Sequence, residues 1–153
     1  RTRDDAGGGQ IARFSVEVGV SSDDRGWSQV GRLLRTFMDA TGRLWRTQQL
    51  KGKLAAGFTV SSLPSGDKQS TLMSMFVFCM QHGMLWVGNP ILPEQHTGIP
   101  YDEAANRLGS WSGLMAQAGH SAPADSFPAG DIKTARMFGK NFSETLHRVS
   151  GAA

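Results

Sequence analysis

LAAGFTVSSLPSGDK, residues 54–68, is the stretch on which the fold turns. Residues 54–60 form a continuous apolar run, the pattern of a strand buried on both faces. SSLPSGDK then leaves the strand through small and turn-forming residues. A helix is expected at residues 70–82, where Leu72, Met75, Phe76, Cys79 and Met80 fall at i, i+3, i+4, i+7 and i+8. Gly83 closes it. MLWV, residues 84–87, reads as a second short buried strand. Strand, bend, helix and strand in this order specify a parallel pair joined by a crossover.

The pattern extends both ways. Upstream, IARFSVEVGV at residues 11–20 alternates apolar and polar over Phe14, Val16, Val18 and Val20, which predicts a strand. SSDDRGWS reads as a loop. Val30, Leu33, Leu34, Phe37 and Met38 then mark one apolar helix face, and Gly42 is placed to stop that helix. Leu44 and Trp45 fall in a connection that runs to Lys53. Downstream, residues 89–130 are rich in proline and glycine and read as irregular. A last helix is expected over residues 131–149, burying Ile132, Ala135, Phe138, Phe142, Leu146 and Val149.

The fold class is therefore α/β, with a parallel sheet and helices on both faces. Three strands are visible where a doubly wound domain has five or more. The chain also opens on RTRDDAGGGQ without a methionine. Both features set the expectation of an N-terminally truncated domain. Residues 1–28 would be a divergent or frayed segment with one strand, and residues 29–150 the domain itself.

Bulk properties narrow the function. The 153 residues suit one domain with a sizeable core. A net charge of +3 is a weak field, and no basic run is interleaved with aromatics, which argues against a nucleic-acid partner. The longest apolar run, residues 75–80, is far short of the roughly 20 residues that span a bilayer, so no membrane insertion is expected. The single cysteine, Cys79, sits in MSMFVFCMQ and reads as a small core residue. It fits a reducing compartment, and the expected location is cytoplasmic. His82, His96, His120 and His147 have no metal-ligand spacing, and no GxSxG, GxGxxG or Walker A pattern occurs. Asp102 and Glu103 read as a solvated loop or helix cap, and Trp86 and Trp111 as packing residues.

In open α/β sheets ligands bind at the carboxyl ends of the strands. Ser61, Ser62, Leu63, Pro64, Ser65 and Gly66 occupy that place. Small residues there let backbone N–H groups approach a planar polar ligand, and a helix N-terminus follows. The same residues also suit a plain connecting loop with Asp67 as cap. Trp45 alone suits packing, and His82 suits a dipole-favoured helix end.

RTFMDATGRLW, KGKLAAGFTVSSLPSGDKQSTL, FCMQHGMLWVG, NRLGSWSGLMAQ and DIKTARMFGKNFSETL carry a resemblance across roughly four-fifths of the chain. They resemble the flavodoxin-like NAD(P)H:quinone oxidoreductases named after the tryptophan-repressor-binding protein. That resemblance implies a flavodoxin-like three-layer sandwich that binds FMN. It implies that Ser61 to Gly66 contact the isoalloxazine. It implies that Trp45 lends a stacking face, often to a neighbouring subunit's site, and that Gln81 and His82 lie by the flavin. Gln81 stands where the family has a histidine; it can hydrogen-bond but cannot carry a proton charge. NAD(P)H and a quinone are the implied partners, with hydride passing through the flavin and no covalent protein nucleophile. A homodimer or homotetramer is the implied assembly.

Two family loops depart. The one that cradles the FMN phosphate has no counterpart, and DRGWS shares almost nothing with the second. An FMN-free interaction module and an inactive fragment therefore stay open beside the enzyme. An electron-carrier flavodoxin fits less well, since those proteins are strongly acidic.

Overall fold

The structure is a computed structural model and describes residues 36–119 and 127–151. The expected strand at 11–20, the start of the helix at Val30, DRGWS and His120 lie outside them.

Residues 36–40 are helical. This helix ends at Ala40, just before Gly42, with a turn at Thr41. Leu44 and Trp45, read as part of a connection, instead lie in a new short helix, α1, Gly42–Arg46. The expected buried stripe is also thinner here: Phe37 is exposed, and its ring is tilted against that of Phe78, at 6.2 Å between centroids.

The apolar run forms two strands, β1 (Leu54–Ala55) and β2 (Phe58–Ser61). A continuous strand is interrupted at Ala56–Gly57, where Trp86 and Leu72 crowd the backbone. A Cβ on Gly57 would lie 2.6 Å from the Trp86 ring and 3.1 Å from Leu72. The run is not buried on both faces either; its residues alternate between buried and half-buried. Helix α2 spans Lys68–Gln81, and β3 is the two residues Leu85–Trp86. The region read as irregular contains a 3-10 turn at Gln95–Thr97 and a strand, β4, at Leu114–Gln117. The chain ends in α3, Ala129–Ser150.

β1 pairs in parallel with β3, Leu54 opposite Leu85. β2 pairs in parallel with β4, from Phe58 opposite Leu114 to Ser61 opposite Gln117. The carbonyls of Lys53 and Ala55 accept from Leu85 and Val87; those of Gly57 and Ser61 accept from Leu114 and Ala118. Alternate residues of a strand point to the same side. β3 and β4 therefore lie end to end along one edge of the 54–61 segment. The chain hands over between them where Asn89 N–H donates to the Trp111 carbonyl at 2.9 Å.

Side chains alternate across this segment. Ala55 packs with Leu50, Cys79 and Met84, against α2. Ala56 and Phe58 pack with Ile91, Ala105, Leu114 and Phe138, against α3. Leu72 is fully buried, worth about 1.5–3 kcal/mol on its own. Cys79 is buried as expected, and burial pushes its thiol up to about 11. Trp86 packs edge-on against Phe76 at 5.6 Å and donates its indole N–H to Ser112 O at 2.8 Å, whereas Trp111 is half exposed. The outer side of α2 keeps Met73, Val77 and Met80 exposed, so the Met80 end of the expected stripe faces out.

The last helix is present, but its buried set differs. Ile132 and Val149 are exposed, Ala135 is exposed, and Phe142 and Leu146 are half-buried. Gly130, Asp131, Thr134 and Phe138 point inward instead. Among the described residues no helix is long and apolar enough to cross a membrane.

Candidate functional site

Ser61 ends β2, and the bend Ser61–Gly66 leaves the sheet at the carboxyl ends of β2 and β4. The Ser61 hydroxyl is buried and donates to the Leu63 carbonyl at 3.1 Å. Gly66 takes φ +48 and comes so close to Ser61 that any Cβ would overlap its side chain. Asp67 also sits in the left-handed region, at φ 50, and its side chain makes no cap hydrogen bond. The helix start is held by backbone groups instead: Lys68 N–H to Ser65 O at 3.0 Å and Thr71 N–H to Asp67 O at 3.1 Å. Leu63, Pro64 and Ser65 are exposed. Among the described residues the N–H groups of Leu63, Ser65 and Gly66 donate to no acceptor.

Beside the bend, at the end of β4, lies a cavity of about 380 Å³ lined by Asp102, Arg107, Gln117, Ala118, Gly119, Phe127 and Pro128. That volume lies within the range of small-molecule sites. Gln117 joins it to the bend by donating its amide to Ser62 O at 3.0 Å. Under it Arg107 makes a bidentate pair with Asp131, Nε to Oδ1 at 2.7 Å and an Nη to Oδ2 at 2.9 Å, both side chains buried. The hydrogen bond to Asp131 raises the Arg107 pKa further. Tyr101 lies under the guanidinium at 5.0 Å. Apart from Asp102, read as a solvated loop or cap residue, none of these residues stands out in the sequence pattern. The signal that could have pointed there is Asp131, an acidic residue in the first turn of a helix. Asp102 and Glu103 are exposed, as read from the sequence.

Trp45, Gln81 and His82 form a second group. They line a cavity of about 310 Å³ with Met38, Asp39, Thr41 and Gly42. Trp45 is half exposed, and its backbone N–H donates to Thr41 O at 3.0 Å. His82 is buried, and its Nε2 lies 3.0 Å from Thr41 Oγ1. The Thr41 hydroxyl spends its proton on Met38 O at 2.6 Å, so Nε2 must donate to it. Nδ1 is buried without a partner. His82 is thus a neutral tie between two helices rather than a charged helix cap, and burial lowers its pKa.

This sets a pH dependence. Because the folded pKa lies below the ordinary value of about 6.5, the unfolded chain takes a proton that the folded one refuses. Stability therefore falls as pH drops through 6.5 towards the folded value. We expect the thermal midpoint of wild type to fall more between pH 7.5 and pH 5 than that of His82→Gln. Equal drops would remove His82 as the cause.

The two groups stand apart. The bend precedes α2 and Gln81 ends it, 14 residues later, about 20 Å away at 1.5 Å per residue. One chain assembles Ser61–Gly66, and separately Trp45 with Gln81 and His82, but does not bring them together. For a flavin, the free N–H groups of the bend and the adjoining cavity suit the polar edge of the ring system. They do not suit the phosphate. Among the described residues the one guanidinium lining the cavity is locked on Asp131, and neither cavity presents a lysine.

No protein-family model matches the chain. It is 35% identical over 104 residues to flavodoxin FldP of Pseudomonas aeruginosa, covering 68% of this chain and 56% of that protein. It is 34% identical over 116 residues to an NAD(P)H dehydrogenase (quinone) of Archaeoglobus fulgidus, covering 76% and 52%. A protein of the same name from Geobacter sulfurreducens is 30% identical over 118 residues, covering 77% and 56%. The chain spans about half the length of the curated relatives it matches.

Proposed function

We propose, for a chain that resembles the flavodoxin-like NAD(P)H:quinone oxidoreductases over three quarters of its length, that it supplies the ring-binding and stacking surfaces of an FMN-dependent enzyme of that kind. The observation that carries this is the bend at Ser61–Gly66. It lies at the carboxyl ends of two paired parallel strands, with unspent N–H donors and a helix starting behind it. Residues 29–150 form the domain, a three-layer sandwich with α2 and α3 on opposite faces of the sheet. One cysteine, buried, fits a cytoplasmic protein.

Ser61, Ser62, Leu63, Pro64, Ser65 and Gly66 hold the polar edge of the flavin. When bound, the flavin supplies two-electron hydride exchange between NAD(P)H and a quinone. Trp45 offers the flat apolar face on which a nicotinamide or quinone stacks. Gln81 adds an uncharged hydrogen bond, and His82 fixes Thr41 and through it Trp45. Because Trp45, Gln81 and His82 lie a helix length from the bend, they serve the ring held by a second copy. The assembly is a homodimer or homotetramer.

Titration of FMN and riboflavin, followed by flavin fluorescence, tests this. We expect quenching by both. With no phosphate anchor among the described residues, their affinities should agree within about threefold, or roughly 0.7 kcal/mol. The loaded protein should oxidise NADH with benzoquinone. No quenching by either compound would sink the assignment and favour the interaction module, the reading that the locked Arg107 supports.

A further inference from the structure

Lys68 is the largest residue of the described chain buried to this degree, at 1% exposure. Two effects oppose a charge there. Burial strips its water. It opens α2, where the positive end of the helix dipole repels cations. Through space Asp131 favours the charge and outweighs Arg107, which opposes it. An apolar side chain of similar length would avoid both penalties. The ammonium is held instead by two carbonyls of the bend, Leu63 O and Pro64 O, the latter at 3.0 Å.

Those contacts fix the orientation of the bend. The peptide bonds of the described residues are trans, and in a trans peptide the C=O and N–H point opposite ways. The Pro64 carbonyl turns in to the Lys68 Nζ, so the Ser65 N–H turns out. The Ser65 carbonyl turns in to the Lys68 backbone N–H at 3.0 Å, so the Gly66 N–H turns out as well. The Leu63 carbonyl also turns in, and the next nitrogen, that of Pro64, has no hydrogen. A single buried side chain thus gathers the acceptors of the bend on its inner side and leaves its donors on the outer side.

Resting on the flavin reading, we infer that Lys68 is a positioning residue of the ring-binding bend: its buried ammonium turns the Ser65 and Gly66 N–H groups outward as a donor edge for carbonyl oxygens of the ring, and places a positive charge behind that edge. Charge behind the donors favours a ring that gains electrons, because opposite charges attract strongly where water is excluded. Shape and charge are separable. Glutamine at this position keeps a donor for one carbonyl and loses the charge. Methionine loses both.

The experiment uses the full chain as wild type, Lys68→Met and Lys68→Gln. It reads riboflavin affinity by fluorescence, the midpoint potential of bound flavin, and thermal unfolding. We expect Lys68→Met to bind riboflavin roughly tenfold or more weakly, as for the loss of a well-placed hydrogen bond. Lys68→Gln should lose less affinity, and its bound flavin should show a lower potential than wild type. Wild-type affinity and potential in both variants would overturn the inference and leave the flavin reading standing. If Lys68→Met does not unfold cooperatively, Lys68→Gln alone decides. Wild type that binds no flavin overturns the reading on which the inference rests, and the inference with it. Amide exchange on flavin-free wild type gives an independent check. Fast exchange at Ser65 and Gly66 is expected, and strong protection there would overturn the outward placement.

Discussion

Replacing Asp131 by alanine is expected to remove about 3–5 kcal/mol of folding free energy, the penalty for breaking a buried pair from one side. A domain of this size has only about 5–15 kcal/mol in total. Asp131 is buried and accepts three hydrogen bonds. It takes both prongs of the Arg107 guanidinium, at 2.7 and 2.9 Å, and the Gln117 backbone N–H at 2.8 Å. It also sits in the first turn of α3, where a negative charge is favoured. Alanine leaves Arg107 buried with a charge it cannot shed. Its remaining carboxylate neighbour, Asp102, is 3.5 Å away and mostly in water. Arg107→Met should cost less, because Asp131 keeps the Gln117 N–H and the helix terminus. Replacing both by apolar residues of matching volume should recover most of the loss. Urea denaturation of the four proteins measures this. A loss under 1 kcal/mol for Asp131→Ala would contradict the burial of the pair. The Gln117 anchor also ties this pair to the wall of the cavity, so the same variant should loosen the site beside the bend.

How far the sequence reveals such features depends on what encodes them. α2 is legible because Leu72, Met75 and Cys79 repeat with helical period and are buried, and its bounds fall within two residues of expectation. The bend is legible because small residues after an apolar run have few other uses. The distance from the bend to Gln81 is legible too: a helix of known length separates them. β4 is not, since LMAQ is four residues inside a glycine- and serine-rich stretch and has no alternation to mark it. The buried face of α3 is not either. Asp131 and Thr134 are inside because Arg107 and the Asn106 N–H, far along the chain, come to meet them. Periodicity weighs hydrophobicity and cannot see a partner. Lys68 escapes for the same reason, as lysine is among the residues least often buried. One physical difference lies behind all of this: the elements come from local preferences, whereas the polar groups beneath the site are placed by long-range hydrogen bonds.

Two glycines of α3 should respond in opposite directions to the same substitution. Helix propensity alone says that Gly→Ala stabilises by up to about 1 kcal/mol. Gly139 is exposed, and nothing lies within 4 Å of where its Cβ would be. Gly139→Ala should therefore add about 0.5–1 kcal/mol. Gly130 is buried against the turn that carries Asp102 and Ala104, and its N–H donates to Asp102 O at 2.8 Å. A Cβ there would overlap the Ala104 carbonyl oxygen and lie 3.0 Å from the Ala104 backbone N and C. These are backbone atoms and cannot swing aside like a side-chain tip. Overpacking of this kind costs about 1–3 kcal/mol, occasionally more, which outweighs the gain in propensity. Moving the start of α3 away from residues 102–104 also drags Asp131 off Arg107, so the penalty should reach the upper end of that range. Thermal or urea unfolding of the two variants, side by side, reads the sign directly. Stabilisation by Gly130→Ala would mean that α3 does not approach the turn this closely, and the seating of the buried ion pair would have to be redrawn with it.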